Sequence, residues 1–285
     1  MNNLTAHPAK PCTEESSGAT GSNFAYSFRF LSREKRHALC AVYAFARRVD
    51  DCVDLLQSPD EKRNQLTYWK TQLHLGLNGQ SAETVMNQLG RVIRQYEIPV
   101  QGFEDLIRGC EMDIDIHRYE TYEKLREYCY HVASTVGLMC LPIFDCRSAE
   151  AKEYAIRLGQ ALQFTNILRD VGTDADRGRI YLPQEDLRRF GCREEHLLGK
   201  VYAPEFTQLM EFECQRADAL FQEALSALPP DARQKLLPAR VMAQTYRAIL
   251  KKIIACNYQV FGPKITLSRF QKIRIALLTW LGLLD

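Results

Sequence analysis

Helical spacing of apolar residues, sustained along nearly the whole chain, is the feature that most restricts the fold. Apolar residues recur three and four positions apart in eight segments that we predict to be helices, namely 31–56, 62–77, 82–96, 100–116, 121–144, 149–172, 204–227 and 231–261. Short breaks such as Ser58-Pro59 and Asn78-Gly79 separate them. The sequence therefore predicts an all-α fold with one helical domain, residues 22–285, after a flexible N-terminal arm, residues 1–21.

Composition excludes several classes of function. The net charge of +2 is too small to predict a nucleic-acid partner. Glycine-rich phosphate loops and histidine pairs at ligand spacing are absent from the sequence, so its chemistry must come from carboxylates, amides, tyrosine and arginine. The ten cysteines include no CxxC pair, which predicts a reduced, cytoplasmic protein without a disulfide framework.

The C-terminal tail permits two interpretations. No segment reaches the roughly 20 apolar residues needed to span a bilayer, and the closest is the stretch 273–284. Four cations lie in or just before it, Lys264, Arg269, Lys272 and Arg274. The tail is either a terminal helix packed on the core or a basic and apolar patch that contacts a membrane surface. Peripheral membrane contact and the oligomeric state therefore stay open.

Two helical rows change from apolar to acidic side chains. At four-residue spacing, the first row contains Val42, Ala46, Asp50 and Asp54. The second row contains Leu158, Leu162, Asn166, Asp170 and Asp174. Residues four apart share a helix face, so the acidic residues continue faces that should point inward.

Inward-facing carboxylates must either hold their charge against cations or shift their pKa and become neutral, because burying unpaired charge is very costly. Magnesium prefers carboxylate and amide oxygens and usually keeps waters and substrate phosphates as further ligands. Two facing acidic rows therefore predict a magnesium and diphosphate site. Arg47, Arg169 and Arg179 lie close to these rows in sequence, and arginine can bind diphosphate through two hydrogen bonds.

Four stretches carry the most specific pattern in the chain. They are Arg47-Arg-Val-Asp-Asp-Cys-Val-Asp54, Arg118-Tyr-Glu-Thr-Tyr122, Tyr128-Cys-Tyr-His-Val-Ala-Ser-Thr-Val-Gly137 and Gln163-Phe-Thr-Asn-Ile-Leu-Arg-Asp-Val-Gly-Thr-Asp174, the last running on into Arg179-Ile-Tyr-Leu-Pro183. Together they resemble the squalene and phytoene synthase family of head-to-head prenyl transferases. The similarity covers about residues 22–275.

This resemblance implies a single-domain prenyl-synthase (terpenoid synthase) bundle with a deep central cavity. It implies that magnesium and two diphosphates are held by Asp50, Asp54, Asn166, Asp170 and Asp174. The positions that match neighbours of the diphosphates are Arg47, Gln163, Arg169, Arg179, Tyr181 and Tyr246. Those that match the wall of the prenyl channel are Phe24, Ala133, Val136, Gly137 and Leu162.

Tyr128 matches a tyrosine that assists proton removal or stabilises carbocations. Together with Arg47 and the four aspartates of the two rows, it forms the predicted catalytic set. Where some members carry an arginine after the last helix, this chain has Pro263-Lys264, so Lys264 is the expected counterpart. Small residues at 133, 134, 137 and 140 would let either a ligand or a neighbouring helix approach closely.

Within the family, the overall length and the segment 238–250 are most similar to bacterial presqualene diphosphate synthases of hopanoid biosynthesis. We therefore expect magnesium, with manganese as an alternative, to support condensation of two farnesyl diphosphates to presqualene diphosphate. Continuation to squalene would require NADPH. The alternative within the family is a phytoene synthase, which condenses two geranylgeranyl diphosphates in carotenoid biosynthesis.

Two further classes compete with this interpretation. A terpene cyclase also uses facing acidic helices, but with other spacings. A helical binding protein without enzymatic activity would leave both acidic rows unexplained. It also predicts no diphosphate release in the presence of magnesium.

Overall fold

The computed structural model of this chain describes residues 31–56 and 58–284. The predicted arm, residues 1–21, and Phe24 lie outside the described residues. The prediction of an all-α fold is confirmed, because every regular element in the described ranges is helical.

Twelve α-helices form the described part of the chain. They are α1 (Arg33–Asp54), α2 (Pro59–Leu77), α3 (Thr84–Tyr96), α4 (Gln101–Asp115), α5 (Tyr122–Cys129), α6 (Thr135–Cys140), α7 (Ala149–Asp176), α8 (Gln184–Arg189), α9 (Glu194–Leu198), α10 (Pro204–Ala227), α11 (Leu237–Ala255) and α12 (Arg269–Trp280). Short 3₁₀ turns occupy Pro142–Phe144 and Pro230–Ala232. The spacing of apolar residues did not predict α8 and α9, because helices of five or six residues are too short to show a helical period. Within the described ranges, no helix combines the length and hydropathy needed to cross a bilayer.

Local sequence explains several helix boundaries. Ser32, Ser148 and Ser268 each accept a hydrogen bond from the backbone N–H three residues later, at 3.4, 3.2 and 3.2 Å. Each bond satisfies a donor that the first helical turn leaves without a partner. Helices α2 and α10 begin with Pro59 and Pro204, since a first-turn residue does not need its N–H.

Residues 121–144, predicted as one helix, form separate helical pieces. A π-helix, Tyr130–Ser134, joins α5 to α6, and the Thr135 N–H bonds to the Tyr130 carbonyl five residues earlier. This wider turn lies directly against α7, where a Cβ added to Gly159 would be 2.5 Å from the Ser134 Cα. Apolar spacing did not reveal the π-helix because one extra residue in a single turn changes the period only locally.

Helix α7 occupies the centre of the bundle. It packs most extensively on α10 and also contacts α6, α11 and the π-helix. Leu158, Ala161, Phe164 and Leu168 are buried in these contacts. The second acidic row therefore lies on a helix that is surrounded by others.

An extended segment follows α7 and pairs with the segment after α4. The Ile180 N–H donates to the His117 carbonyl at 3.1 Å, and the Gln184 N–H donates to the Tyr119 carbonyl at 2.8 Å. These bonds hold residues 178–184 beside the C-terminal end of α4, where they join the site described next.

Candidate active site

A cavity of about 300 Å³ lies among α1, α4, α7, α11 and the helical pieces between residues 122 and 144. Much of its wall is apolar, with Leu39, Leu106 and Met242 among the contributors. The residues singled out in the sequence that line it are Arg47, Asp50, Tyr128, Ala133, Val136, Gly137, Leu162, Gln163, Asn166 and Tyr246. One cavity thus brings the predicted channel residues together with part of the predicted polar site.

The polar ends of the two acidic rows meet. Along α1 the cavity wall passes from Val42 to Asp50, and α7 likewise becomes polar towards its C-terminal end. Arg177, directly after α7, places its Nη1 2.9 Å from Asp54 Oδ1, and Arg179 Nη1 lies 3.5 Å from the same oxygen. These ion pairs join the C-terminal ends of α1 and α7.

Asp170 is surrounded by cations. Arg169 Nε and Nη2 donate to its two carboxylate oxygens at 2.9 and 2.5 Å, and Lys264 Nζ donates to Oδ2 at 3.1 Å. Burial by itself would raise the pKa of Asp170, but the bonds and charges of Arg169 and Lys264 outweigh it and lower the pKa. The structure therefore brings Lys264, from the segment after α11, to the acidic row on α7.

Asp50 and Asp174 have too little positive charge around them. The Asp50 side chain is 53% exposed, yet desolvation by the surrounding protein, followed by the charge of Asp54, raises its pKa to about 6, although Arg47 Nη1 lies 3.6 Å from its Oδ2. Burial and then the charge of Asp170 raise the pKa of Asp174 to about 7. Excess negative charge of this kind is what a bound cation would neutralise.

The donor set fits magnesium with bound diphosphates. The Asn166 Oδ1 atom is buried without a hydrogen-bond partner, while its amide nitrogen donates to Gln163 Oε1 at 3.2 Å. Among the described side chains, no three His, Cys, Asp or Glu residues come close enough together to hold a metal unaided. Magnesium commonly takes only one or two carboxylates and completes its shell with water and substrate phosphates. These residues would therefore hold the ion jointly with the diphosphates.

Asp113, which sequence reasoning missed, lies at the centre of the polar network. Its carboxylate accepts hydrogen bonds from Tyr128 at 2.9 Å and from Tyr181 at 2.8 Å. Arg179 Nη2 donates to its backbone carbonyl at 3.3 Å. A signal was present, because Asp113 follows Leu106 by seven residues and Cys110 by three on the buried face of α4.

Three tyrosines enclose that carboxylate. The rings of Tyr128 and Tyr181 stack with centroids 5.3 Å apart, and Tyr119 packs on both, at 5.4 and 5.9 Å. Burial, followed by the charge of Asp113, raises the pKa of the Tyr128 hydroxyl well above its usual value. Tyr128 lines the cavity, whereas Tyr181 is not part of its wall. Both hydroxyls are therefore held as neutral donors, and one of them belongs to a residue of the cavity wall.

The small residues at 133–140 serve the cavity and helix packing at once. Ala133, Gly137 and Cys140 line the cavity. Ser134 is fully buried and its Oγ donates to the Ile156 carbonyl of α7 at 2.7 Å. A Cβ added to Gly137 would lie 3.2 Å from the Ala155 carbonyl oxygen, so α7 and the channel wall touch here. The sequence allowed these small residues to accommodate either a ligand or a neighbouring helix, and the structure is compatible with both.

The squalene/phytoene synthase family model matches residues 18–271, which is most of the chain. The chain belongs to this family. Members of the squalene/phytoene synthase family are prenyltransferases that generally depend on a divalent metal. The chain is therefore an enzyme of head-to-head prenyl condensation in isoprenoid biosynthesis.

Curated members of the family that resemble this chain include phytoene synthases. The 15-cis-phytoene synthase of Synechocystis is 38% identical over 87% of this chain and 77% of that protein. The phytoene synthase of Mycobacterium bovis is 36% identical over 93% of this chain and 88% of that protein.

Solved structures of the family share the fold. A dehydrosqualene synthase crystallised with a ligand superimposes with a TM-score of 0.83 and 33% identity, covering 95% of this chain and 94% of that one. The squalene synthase HpnC from Alicyclobacillus acidocaldarius gives 0.77 and 29%, covering 86% and 92%. The expected prenyl-synthase bundle with a central cavity is thereby confirmed.

Proposed function

We propose that this enzyme condenses two molecules of geranylgeranyl diphosphate head to head to give phytoene. The observation that carries the reaction class is the cavity itself. It combines an apolar wall with Arg47, Asp50 and Asn166, as a reaction between a diphosphate head and a prenyl tail requires. Its Tyr128 and Gln163 add neutral polar groups close to the same region.

The choice of the C20 substrate follows from the relatives and corrects the preference drawn from the sequence. The overall length and segment 238–250 favour farnesyl diphosphate and presqualene diphosphate. Relatives with 35–38% identity over most of the chain are phytoene synthases instead, from Synechocystis, Arthrospira platensis and Synechococcus elongatus. A short helical segment carries less information than identity spread over some 260 residues, so the alternative becomes the main proposal.

The first chemical event is departure of a diphosphate to leave an allylic cation. Magnesium, when bound by Asp50, Asp54, Asn166, Asp170 and Asp174, supplies charge that stabilises the leaving diphosphate. Arg47, Arg169, Arg179 and Lys264 provide further positive charge beside Asp50, Asp54 and Asp170. Several of these cations are paired with aspartates in the structure. When substrate binds, such a cation can replace its carboxylate partner with a diphosphate oxygen.

Carbon–carbon bond formation takes place in the apolar part of the cavity. The C2–C3 double bond of the second substrate attacks C1 of the cation, and loss of a proton closes a cyclopropane. The resulting cyclopropylmethyl diphosphate then loses its diphosphate, rearranges and loses a second proton to give the conjugated triene of phytoene. Wall residues such as Val136 and Leu162 keep water from quenching each cation. No hydride enters this route, so NADPH is not required.

Tyr128 stabilises the cations rather than removing a proton as a phenolate. Its hydroxyl hydrogen is directed to Asp113 Oδ2, and its raised pKa keeps it protonated. The oxygen lone pairs and the ring face are what this side chain then offers to a neighbouring carbocation. Of the two roles that the resemblance allowed, the geometry supports cation stabilisation.

A C15 reaction remains the second candidate, because a solved dehydrosqualene synthase is 33% identical with a TM-score of 0.83. Head-to-head condensation of farnesyl diphosphate without NADPH would give a C30 triene, and with NADPH squalene. Both candidates use the same polar site and differ in how much apolar length the cavity must enclose.

The test is competition between substrates. Purified enzyme receives equal farnesyl and geranylgeranyl diphosphates with magnesium, with and without NADPH, and products are identified by mass. We expect C40 phytoene to predominate and NADPH to have no effect. Predominantly C30 product would overturn the C20 proposal. Absence of any condensation, with no diphosphate release, would overturn the proposed chemistry altogether. Repeating the assay with manganese alone defines the metal requirement.

We propose a reducing, cytoplasmic location, which is supported by the nine cysteines of the described ranges. All nine are free thiols, and most are buried. Burial raises the pKa of Cys129 and Cys140, which keeps them protonated and unreactive.

A further inference from the structure

Helix α12 exposes an unusual amount of apolar surface. Six of the thirteen large apolar side chains that are exposed within the described ranges lie between Phe270 and Leu283. Phe270 is 74% exposed and Trp280 is 51% exposed. Scattered exposed apolar residues are ordinary on protein surfaces, but a contiguous group indicates an interaction site.

These side chains form a single stripe. Successive residues of an α-helix are 100° apart, and five exposed residues fall within an arc of about 100° on that basis. We call this set the apolar stripe; it comprises Phe270, Ile273, Leu277, Trp280 and Leu281. The remaining side of the helix is anchored, since Thr279, roughly opposite the stripe, is fully buried, and Ala276 packs with Leu237 and Val241 of α11. The stripe therefore faces outward from a helix that is already docked.

Basic residues border the stripe. On the same helical projection, Arg269 lies at one edge and Arg274 at the other, and both side chains are exposed. Residues 262–285 contain four basic side chains and one acidic side chain, Asp285, although the whole chain has a net charge of only +2. Arginine at the edge of an apolar surface can keep its guanidinium at a polar boundary while its stem covers apolar neighbours.

We propose that the apolar stripe is a docking surface for an anionic lipid bilayer. At 1.5 Å per residue, twelve residues extend about 18 Å, which is too short to span the hydrocarbon core. The helix would lie in the plane of the interface, with the stripe in the acyl boundary and both arginines at anionic headgroups. Trp280 fits the same boundary, where indole rings are enriched.

A second copy of this chain fits the stripe less well. A symmetric pairing would place two copies of the same patch face to face. The basic edges of one copy would then meet the basic edges of the other, with one acidic side chain in residues 262–285, Asp285, set against four basic ones. Anionic headgroups complement both edges at once.

The stripe also lies close to the wall of the cavity. Leu237, which packs on α12, stands between Leu236 and Pro238, and both of these line the cavity. A bilayer bound at the stripe would thus lie one helix away from the site of condensation, a short path for an apolar product. This last connection alone rests on the proposed function, whereas the binding test below uses no substrate.

The experiment is flotation of the full chain with vesicles of phosphatidylcholine, alone or mixed with phosphatidylglycerol. We expect binding to the mixed vesicles that weakens as salt is raised. Phe270→Ser/Leu277→Ser should lower the partition coefficient at least about tenfold. Arg269→Gln/Arg274→Gln should remove the preference for phosphatidylglycerol. The control Leu75→Ser/Leu198→Ser, which changes exposed apolar residues on α2 and α9, should bind as the unchanged chain does.

Fluorescence tests the orientation. In a Trp69→Phe background, Trp280 is the remaining tryptophan, and its emission should shift to shorter wavelength on mixed vesicles. Circular dichroism verifies that each variant retains its helices. Equal binding by the stripe variant and the control, or an unshifted Trp280 emission, would overturn the proposal. Another result would also overturn it: the unchanged chain self-associates in analytical ultracentrifugation, the stripe variant does not, and neither protein binds vesicles. The occupant of the stripe would then be a second copy of the chain.

Discussion

The Tyr128 hydroxyl donates a 2.9 Å hydrogen bond to Asp113 Oδ2, although the two residues lie fifteen positions apart on different helices. Tyr181 donates to the other oxygen of the same carboxylate at 2.8 Å. One buried carboxylate therefore orients two hydroxyls, of which only that of Tyr128 belongs to a residue of the cavity wall. This asymmetry separates a catalytic role from a structural one.

Tyr128→Phe should reduce kcat far more than Tyr181→Phe. Each change removes one hydrogen bond to Asp113 and should cost a similar ~1–3 kcal/mol of stability. Only the first removes an oxygen that can face a carbocation, so we expect kcat to fall ~10²-fold for Tyr128→Phe and by less than about tenfold for Tyr181→Phe. The measurement is steady-state kinetics beside thermal unfolding of both variants. Equal losses of kcat would assign the two tyrosines the same, structural role.

Asp170→Asn should abolish nearly all turnover while retaining the fold. The change removes a negative charge that we assign to magnesium, and it also deprives Arg169 and Lys264 of a partner. We expect kcat to fall at least ~10²-fold and the magnesium concentration for half-maximal rate to rise. Asp176→Asn is the matched control, because Asp176 lies on the same helix but is exposed and paired with Lys200 at 2.7 Å. Full activity of Asp170→Asn at equal magnesium would contradict the acidic-row assignment.

Glu213→Gln should make the protein more tolerant of alkaline pH. Glu213 is fully buried on α10, and burial raises its pKa from 4.5 to about 8, partly offset by Arg216 at 2.6 Å. A raised pKa means that the folded state favours the protonated carboxyl. The stability that this proton contributes is complete below pH 4.5 and is lost as pH rises to about 8.

The measurement for Glu213 is Tm against pH. The unchanged protein should lose Tm between pH 4.5 and about 8, and Glu213→Gln should lose less, with about 2–4 °C separating the two for each kcal/mol. Glu223→Gln is the control, since Glu223 lies on the same helix but is exposed and paired with Arg157. Parallel Tm curves for all three proteins would show that Glu213 stays ionised in the fold.

Gly159→Ala should destabilise the protein and disturb the cavity together. The added Cβ would lie 2.5 Å from the Ser134 Cα and 2.6 Å from its nitrogen, so α7 and the π-helix must separate. Overpacking of this kind costs ~1–3 kcal/mol, and because Ala133 lines the cavity, KM should rise as well. A Cβ added to Gly262 would meet no atom within 4 Å, so Gly262→Ala should change neither Tm nor KM. Unaltered Tm and KM in Gly159→Ala would contradict the tight contact.

Local sequence was sufficient for the helices and for part of the site. Helix boundaries follow from serine caps and prolines, which act within one turn. The four-residue spacing of Asp50 with Asp54, and of Asn166 with Asp170, was enough to place them on shared helix faces. Arg179 could be assigned to the region because it closely follows the second row, and the structure places it 3.5 Å from Asp54.

Contacts between distant segments were decided only by the tertiary structure. Asp113 was overlooked because a single carboxylate at the end of an amphipathic helix looks like a solvated residue until Tyr128 and Tyr181 are placed against it. The π-helix depends on the close approach of Gly159, and Lys264 reaches Asp170 across 94 positions of sequence.

The C-terminal tail shows most clearly which properties local sequence determines and which the tertiary structure determines. Its sequence determined that the segment is both apolar and basic, because composition is a local property. The packing of the rest of the fold decided which face of the helix is buried. Ala276 packs on Leu237 and Val241, and with the helix docked in this way Phe270, Leu277 and Trp280 are exposed to solvent. Helical periodicity follows from bonds between near neighbours, whereas exposure depends on which distant surfaces fill the space around a helix.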